Sequence, residues 1–494
     1  MISEGAILFI MSAGFLCLAV REMLEGLSST EFLLIFVTFV TGLISVLLFV
    51  WSKYSKSAKD EAKRIESIRE TPTELLEISE TSIRLGDEVD LLVPVFLPDS
   101  VRKKHVHVIG ATGSGKTESV ILNFLKQDID RGLGAVILDA KGDDSFITTL
   151  RLWLTNERLK IFDLSSESSI SYDPLNFGTP LEGAQRLFSS FTWSEEYYKA
   201  KALSALQKLF QSHFEKNKKN PSLCDLEKSL ASPAEYIQEL SGKSYDPKVA
   251  ERDFQELAGL RDQIGSLTVG HLGRTLSGGT DKSCVELSDV HLGKVLYFRL
   301  QSLLSPQAVS SVGKLLINNL NYLTGKAHRQ GGNDARLIPI YLDEFATFAS
   351  PEFADLISKA RSANFALHFS HQSIGDLMEV SEGFINRITD NSATKIVMRI
   401  NDPDSADFFA RSFGTRLYQK LTQRVTNADD EHATEIMTDG TQRDAHQFRA
   451  SPDLLKTLPT GYGSVLIAHG QDTKEGASHV FKIKFPRLEK EKLE

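Results

Sequence analysis

The chain has 494 residues, enough for roughly two or three domains around a large core. Hydrophobic residues make up 41% of it, so any membrane part is small. The net charge of −9 excludes a surface coated for nucleic acid, though not DNA held in a narrow channel by a few residues. Cys17, Cys224 and Cys284 lie far apart, give no metal-ligand spacing and no disulfide framework, and point to a reducing compartment for the bulk of the chain.

Two uncharged apolar runs come first, Gly5 to Val20 and Phe32 to Trp51. The second has the length of a bilayer-spanning helix and the first is a little shorter. The loop between them, Arg21 to Glu31, holds one basic residue and three acidic ones, whereas Lys53, Lys56, Lys59, Lys63 and Arg64 follow the second run. The excess of Lys and Arg on that side predicts a helical hairpin with both ends of the anchor in the cytoplasm. Glu4, the absence of Lys or Arg before the first run, and Leu16 ahead of Cys17 speak against a cleaved signal peptide. A charged, exposed helix is expected over 53–70, and Ile83 to Leu97 reads as short strands and turns forming an extra sheet beside the next domain.

Val106 to Ile109 reads as a buried strand, and Gly110-Ala111-Thr112-Gly113-Ser114-Gly115-Lys116-Thr117 follows it. This octapeptide satisfies G-x-x-x-x-G-K-[ST] in full. Its glycines let the backbone curl until the N–H groups cradle phosphate oxygens. Lys116 then serves the terminal phosphates and the Thr117 hydroxyl a Mg²⁺ ion. Val120, Ile121, Phe124, Leu125 and Ile129 recur at helical spacing behind it, which sets the phosphate at a helix N-terminus. Ala135 to Asp139 and Leu159 to Asp163 are further buried strands. Asp139 and Lys141 lie either near the nucleotide or a subunit border, or in a strand-end turn.

From Leu181 to about Val269 the strand signal vanishes. Leu187, Phe188, Leu206, Leu209, Phe210, Leu226, Phe254, Leu257, Leu260 and Ile264 recur at helical spacing, predicting an inserted all-α domain. Lys216, Lys218 and Lys219 read as a solvated loop, with a DNA or protein contact as the alternative. Leu276-Ser277-Gly278-Gly279 imitates a transporter ATPase signature but stands too far ahead of the acidic strand, so it reads as a turn.

Val295 to Leu300 is a strand, Val309 to Leu323 an amphipathic helix, and Leu337 to Leu342 a strand that ends in Asp343-Glu344. Paired with the phosphate loop, this ending supplies the second half of an ATPase site: Asp343 holds Mg²⁺ through water, and Glu344 orients and deprotonates the attacking water. Ala366 to Ser370 is the next strand, followed by His371 and by Gln372, placed to sense the γ-phosphate. Arg361, on the helix before it, is either an arginine finger aimed into a neighbour's site or an exposed helix charge beside Lys359. Arg387 and Arg399 are its rivals. Thr394 to Ile400 is a strand, Asp402 or Asp404 caps the following helix, residues 415–450 read as polar and irregular, and Gly463 to Ala468 is the last strand.

On the stretch from His107 through Thr117, on Leu342-Asp343-Glu344-Phe345, on Arg361 through Gln372-Ser373 and on Leu458-Pro459-Thr460-Gly461, in this order and spacing, the chain resembles the type IV secretion coupling proteins, the TraD/TraG family of conjugation. The resemblance implies an α/β fold: a RecA-like P-loop ATPase core with an inserted all-α domain and an N-terminal two-helix transmembrane hairpin. The corresponding division is 1–52 anchor, 53–98 juxtamembrane helix and short strands, 99–178 first half of the nucleotide-binding domain, 179–285 all-α insertion, and 286–494 second half. It further implies ATP and Mg²⁺ as cofactors, a homohexameric ring with DNA in its channel, ATP sites at subunit borders, a relaxase bound to the DNA, secretion-channel components as partners, and a place in the bacterial inner membrane. The outward loop is shorter than in many family members, and only a short charged tail follows the last strand. Two other functions remain in play: a DNA translocase of the FtsK/HerA type working without a channel, and an ATP-switched receptor for secreted proteins.

Overall fold

Strands hydrophobic along their whole length need cover on both faces, and this chain provides it by setting them in a parallel sheet between helical layers. The computed structural model describes residues 71–240, 246–278, 284–302, 305–329, 336–427, 434–468 and 478–488. The anchor expected over 1–52 and the charged helix over 53–70 lie outside them, and among the described residues no helix is long and apolar enough to cross a membrane.

In chain order the strands are β1 (Ser82–Glu88), β2 (Pro94–Pro98), β3 (Val106–Ile109), β4 (Ala135–Asp139), β5 (Leu159–Asp163), β6 (Val295–Arg299), β7 (Ile338–Asp343), β8 (Phe365–His371), β9 (Thr394–Val397), β10 (Thr415–Asn427), β11 (Thr434–Phe448), β12 (Tyr462–Ala468) and β13 (Ser478–Lys484). Among the described residues, eleven of them form one sheet in the order β2-β1-β13-β12-β9-β3-β8-β7-β4-β6-β5. The strands from β9 to β5 run parallel, and β12, β13, β1 and β2 continue the sheet antiparallel. The helices are α1 (Asp99–Arg102), α2 (Leu122–Asp130), α3 (Asp144–Trp153), α4 (Pro180–Ser190), α5 (Glu196–Asn217), α6 (Leu223–Ser229), α7 (Pro233–Leu240), α8 (Pro247–Gln255), α9 (Ala258–Thr268), α10 (His271–Thr275), α11 (Pro306–Arg329), α12 (Pro351–Lys359), α13 (Gly375–Met378), α14 (Phe384–Asp390), α15 (Pro403–Phe413) and α16 (Pro452–Thr457).

Side chains that alternate along each strand feed two cores. Val106 and Val108 of β3 join Val120, Phe124 and Leu125 under α2 and Phe146 and Leu150 under α3. Ile109 and the opposite faces of β4, β7 and β8 join the other core with α11 and α12. Between β5 and β6 the described residues hold helices and no strand. Leu187, Phe210, Leu226 and Leu260 from these helices belong to the same buried cluster as Leu316 of α11. Capping boxes fix two of these helices where the chain turns into them: Thr179 with Glu182 opens α4, and Ser222 with Asp225 opens α6.

One ion pair is sealed in the core near the start of the parallel strands. Arg102 donates to both oxygens of Asp128 at 2.8 and 2.7 Å and to Asp99 at 3.0 Å, and the Tyr341 hydroxyl donates to Asp128 as well. Arg102 and Asp128 are fully buried, so removing either partner would strand a charge at a cost of about 3–5 kcal/mol. The pair holds α1 and α2 to β7, and so fixes the entry to β3 relative to the helix behind its loop.

Three expectations are corrected. The stretch from Ile83 to Leu97 is no separate sheet: β1 and β2 are the edge of the main one, joined through β13. Gly463 to Ala468 is not the last strand, because β13 follows it; mixed Lys and His residues in Ser478–Lys484 hid its alternation. Residues 415–450 are not irregular but an antiparallel ribbon of β10 and β11, with Thr415 opposite Phe448 and Asn427 opposite Thr434. Apolar residues such as Leu417, Leu421, Val425 and Ile436 are scattered among Thr, Gln, Arg and Asp and do not alternate regularly, so the pattern that betrays a strand is weak.

Candidate nucleotide-binding and hydrolysis site

The carboxyl ends of β3, β7 and β8 point the same way, and the chain leaves β3 into a loop whose turns only glycine makes easily. Gly113 and Gly115 have φ of 75° and 101°. The loop is anchored from outside: Gly110 N donates to His371 O at 3.3 Å and Ala111 N to Arg399 O at 2.7 Å. From the far end of the sequence, Gly461 N donates to Ser114 O at 3.0 Å and the Thr460 hydroxyl to Gly113 O at 3.2 Å. With Gly110 N, Ala111 N and Ser114 N spent on these contacts and on the loop's own Ala111 carbonyl, the N–H groups of Gly113, Gly115, Lys116 and Thr117 remain for the hollow.

Lys116 is buried and donates to Gly110 O at 2.6 Å, which folds its ammonium back over the loop. Burial shifts its pKa below the usual lysine value, while Glu344, Asp343 and Asp376 pull it back up. The Thr117 hydroxyl donates to Asp343 at 2.7 Å. Ser370 at the end of β8 donates to the other Asp343 oxygen, as does Glu344 N at 3.2 Å. Two hard oxygen ligands thus face one spot at the start of the loop helix.

Glu344 has a φ of 51° and ψ of 47°, a left-handed conformation that a non-glycine residue keeps only when its surroundings impose it. Burial raises its carboxyl above the usual glutamate value. Asp343 and Asp376 add to the rise, while Lys116 and Gln372 oppose it. Gln372 joins the parts: its amide donates to both Glu344 oxygens at 3.2 Å and its carbonyl accepts from the Thr112 hydroxyl at 2.9 Å. The structure therefore brings together Gly110, Ala111, Thr112, Gly113, Ser114, Gly115, Lys116, Thr117, Asp343, Glu344 and Gln372.

Arg361 is not among them. It is exposed, in a 3-10 turn just ahead of β8, beside His105 at the amino end of β3. The seven residues of β8 separate it from Gln372, a span of roughly 20 Å. Arg399 sits at the loop's own end of the sheet, half-buried, through the carbonyl that holds Ala111. Arg387 is exposed and paired with Asp355 at 3.1 Å. Asp139 serves the strand-end turn: its carboxylate accepts from Lys141 N and Gly142 N, both at 2.9 Å, and from the Tyr297 hydroxyl at 2.6 Å. A cleft of about 880 Å³ opens beside Thr117 and Asp343, walled by Leu122, Phe146, Trp153 and Leu488 with Lys141 at its edge.

Sequence reasoning left Ser370, Asp376 and Thr460 without a role. Ser370 carries a usable signal, one residue inside the end of the strand that closes on Gln372. Asp376 carries none, and Thr460, although inside the stretch that resembles the family, shows its hold on Gly113 only once distant segments pack.

Hydrogen bonds to an ionised carboxylate stabilise it, so Gln372→Ala should raise the Glu344 pKa further. An isotope-edited infrared titration, with Glu344→Gln to assign the band, measures this; an unchanged or lower value would show that Gln372 does not act on that carboxylate.

Two family profiles match the chain: the type IV secretion-system coupling protein DNA-binding domain over residues 92–254, and the TraM recognition site of TraD and TraG over residues 338–459. Among curated proteins, the type 4 coupling protein DotL of Legionella pneumophila is 25% identical over 264 residues, which is 50% of this chain and 31% of DotL. The chain thus spans about a third of the length of the curated relative it matches. Among solved structures, the unbound bacterial conjugative coupling protein TrwBΔN70 superposes with a TM-score of 0.62 at 13% identity, over 84% of this chain and 90% of that one. The plasmid coupling protein TrwB in complex with ADP and Mg²⁺ gives 0.59 at 14% identity, over 84% and 91%. VirB4 of Thermoanaerobacter pseudethanolicus gives 0.54 at 14% identity, over 83% and 98%. At such identities the likeness establishes the fold, a mixed α/β core around a large parallel sheet of the TrwB kind. The two profiles cover different stretches and between them more than half of the chain, so the chain belongs to the type IV secretion coupling proteins.

Proposed function

We propose that the chain is a membrane-anchored, ATP-hydrolysing coupling protein that delivers DNA with its bound protein to a type IV secretion channel. The observation that carries the reading is the single constellation of Lys116, Thr117, Asp343, Glu344 and Gln372 at the carboxyl ends of three adjacent parallel strands. In this reading the N–H groups of Gly113, Gly115, Lys116 and Thr117 and the Lys116 ammonium hold the phosphates of ATP. The Thr117 hydroxyl and Asp343 carboxylate suit Mg²⁺, which takes few protein oxygens and completes its shell with water and phosphate. Bound there, Mg²⁺ would supply charge neutralisation on the phosphate oxygens. Glu344, with a raised pKa and an oriented carboxylate, accepts a proton from the attacking water, and Gln372 ties its position to Thr112 in the loop. TrwB solved with the ATP analogue ADPNP, and with ADP and Mg²⁺, supports nucleotide and Mg²⁺ as ligands here. The profile for a coupling-protein DNA-binding domain supports DNA as cargo.

The test is ATP turnover with and without DNA. Lys116→Ala should abolish it. Glu344→Gln should bind ATP normally and hydrolyse it about 10²–10⁴-fold more slowly, the usual worth of a positioned general base. Normal turnover in Glu344→Gln would sink the assignment.

Arg361 enters as a finger supplied to a neighbour's site within a homohexameric ring, a role supported by its place at the edge remote from its own loop. Arg361→Ala should keep ATP affinity and lose about 10³–10⁵ in rate. Mixing it with Lys116→Ala subunits should restore some turnover, since a border with an intact loop and an intact finger forms again; a mixture that assembles yet stays inactive would remove the role.

The two apolar runs before residue 52 are read as a two-pass anchor in the bacterial inner membrane, with the rest of the chain in the cytoplasm. Full-length chain should sediment with membranes, and a chain beginning near Asp60 should stay in solution without detergent. Sedimentation of both would show that the anchor lies elsewhere.

A further inference from the structure

Behind the site, two buried histidines face each other. His107 of β3 and His371 of β8 have their Nε2 atoms 2.6 Å apart, with exposures of 1% and 0%. The protons in this pair can be assigned by elimination. His371 Nδ1 lies 2.8 Å from Ser373 O, and a carbonyl only accepts, so Nδ1 carries the hydrogen and donates. A neutral His371 then has a bare Nε2, which must accept from His107 Nε2–H. His107 Nδ1 is left as a bare, buried nitrogen with no hydrogen-bond partner. Burial keeps both rings neutral: it brings His371 down to about 4 and His107 well below the usual histidine value. His107 is also stacked on Phe369 at 4.6 Å and met edge-on by Phe409 at 5.5 Å, so its ring has little freedom.

Two contacts of His371 bracket Gln372. The His371 carbonyl accepts from Gly110 N at the mouth of the phosphate loop, and the His371 ring holds the Ser373 carbonyl. Gln372, which links Thr112 to Glu344, stands between these two fixed points. We propose that His371, oriented by His107, is a positioning residue for hydrolysis: its Nδ1–H grips Ser373 O and so sets the Gln372 backbone at the height where its amide reaches Glu344. Neither histidine touches the nucleotide. The role rests on the ATPase reading above.

The experiment separates a donor at the right place from a side chain of the right bulk. Asparagine carries an amide donor near the position of Nδ1, and glutamine carries one further out, near Nε2. In the full chain, His371→Asn should retain ATP turnover within about threefold of wild type, while His371→Gln should lose about tenfold, the worth of one buried hydrogen bond expressed as rate. Both should bind a fluorescent ATP analogue with wild-type affinity. Equal turnover in the two variants, whether slow or normal, would overturn the positioning role, as would a parallel loss of affinity. A wild-type chain without Lys116-dependent hydrolysis would instead overturn the ATPase reading and this role with it. Histidine ¹⁵N shifts give a readout that needs no turnover: His371 protonated on Nδ1 and His107 on Nε2 support the relay, and the opposite tautomers refute it.

Discussion

The structure turns on the meeting of Thr117 and Asp343, 2.7 Å apart although 226 positions separate them in sequence. They meet because β3, β8 and β7 are adjacent and parallel, so the loop after β3 and the acids after β7 open at one edge. The register is what matters: Ile109 pairs with His371, and Leu342 with Phe369. A slip of one residue in either pair would turn Ser370 away from Asp343 and exchange the faces of β8, whose seven residues are all buried. The two cores that fix this register therefore fix the geometry of the site.

That edge gathers charges that burial alone would suppress. Desolvation pushes Lys116 toward its neutral form and Glu344 toward its protonated form, and each opposes the shift in the other. Asp343 and Asp376 widen the contrast, helping Lys116 keep its proton and making Glu344 hold one more readily. The outcome is an ammonium suited to phosphate and a carboxylate with more basicity than one in water. Such pairs of opposed pulls are how a site prepares acid and base groups without a reagent. The left-handed backbone at Glu344 is the strained element of this arrangement, held by its amide on Asp343 and its carboxylate on Gln372.

The core was legible because its signals are local. Val106–Ile109, Ala135–Asp139 and Leu159–Asp163 are short, mainly apolar runs and are strands at those bounds. The loop motif names its residues by spacing, and the Asp343-Glu344 ending follows from a strand that stops in acids. Asp402, one of two candidates for the helix cap, is the one that accepts from Ser405 N, at 2.9 Å. What was not legible depends on partners far away in sequence. β10 and β11 pair with each other through the main chain, and their scattered apolar residues leave no regular alternation. The grip of Gly461 on Ser114 and the facing of His107 with His371 exist only after the sheet has formed. Arg361, read from sequence as either a finger for a neighbour or an exposed charge, lies at the other edge from Gln372 because the strand between them separates them.

That placement separates the arginines by what each would demand of an assembly. A parallel strand carries direction, so residues before β8 and after it lie at opposite edges, and no side chain on Arg361 can bridge the length of the strand to its own Lys116. Charge from Arg361 can reach a phosphate only if another copy presents a loop to it, which would make chemistry wait on correct assembly. Arg399 imposes no such condition, since its backbone already holds Ala111 within one subunit. Arg399 stands beside its own loop, whereas a site served by Arg361 is complete only at a border. Membership in a family whose core is this sheet leaves both arrangements open to the chemistry, and the direction of one strand decides which arginine requires a neighbour.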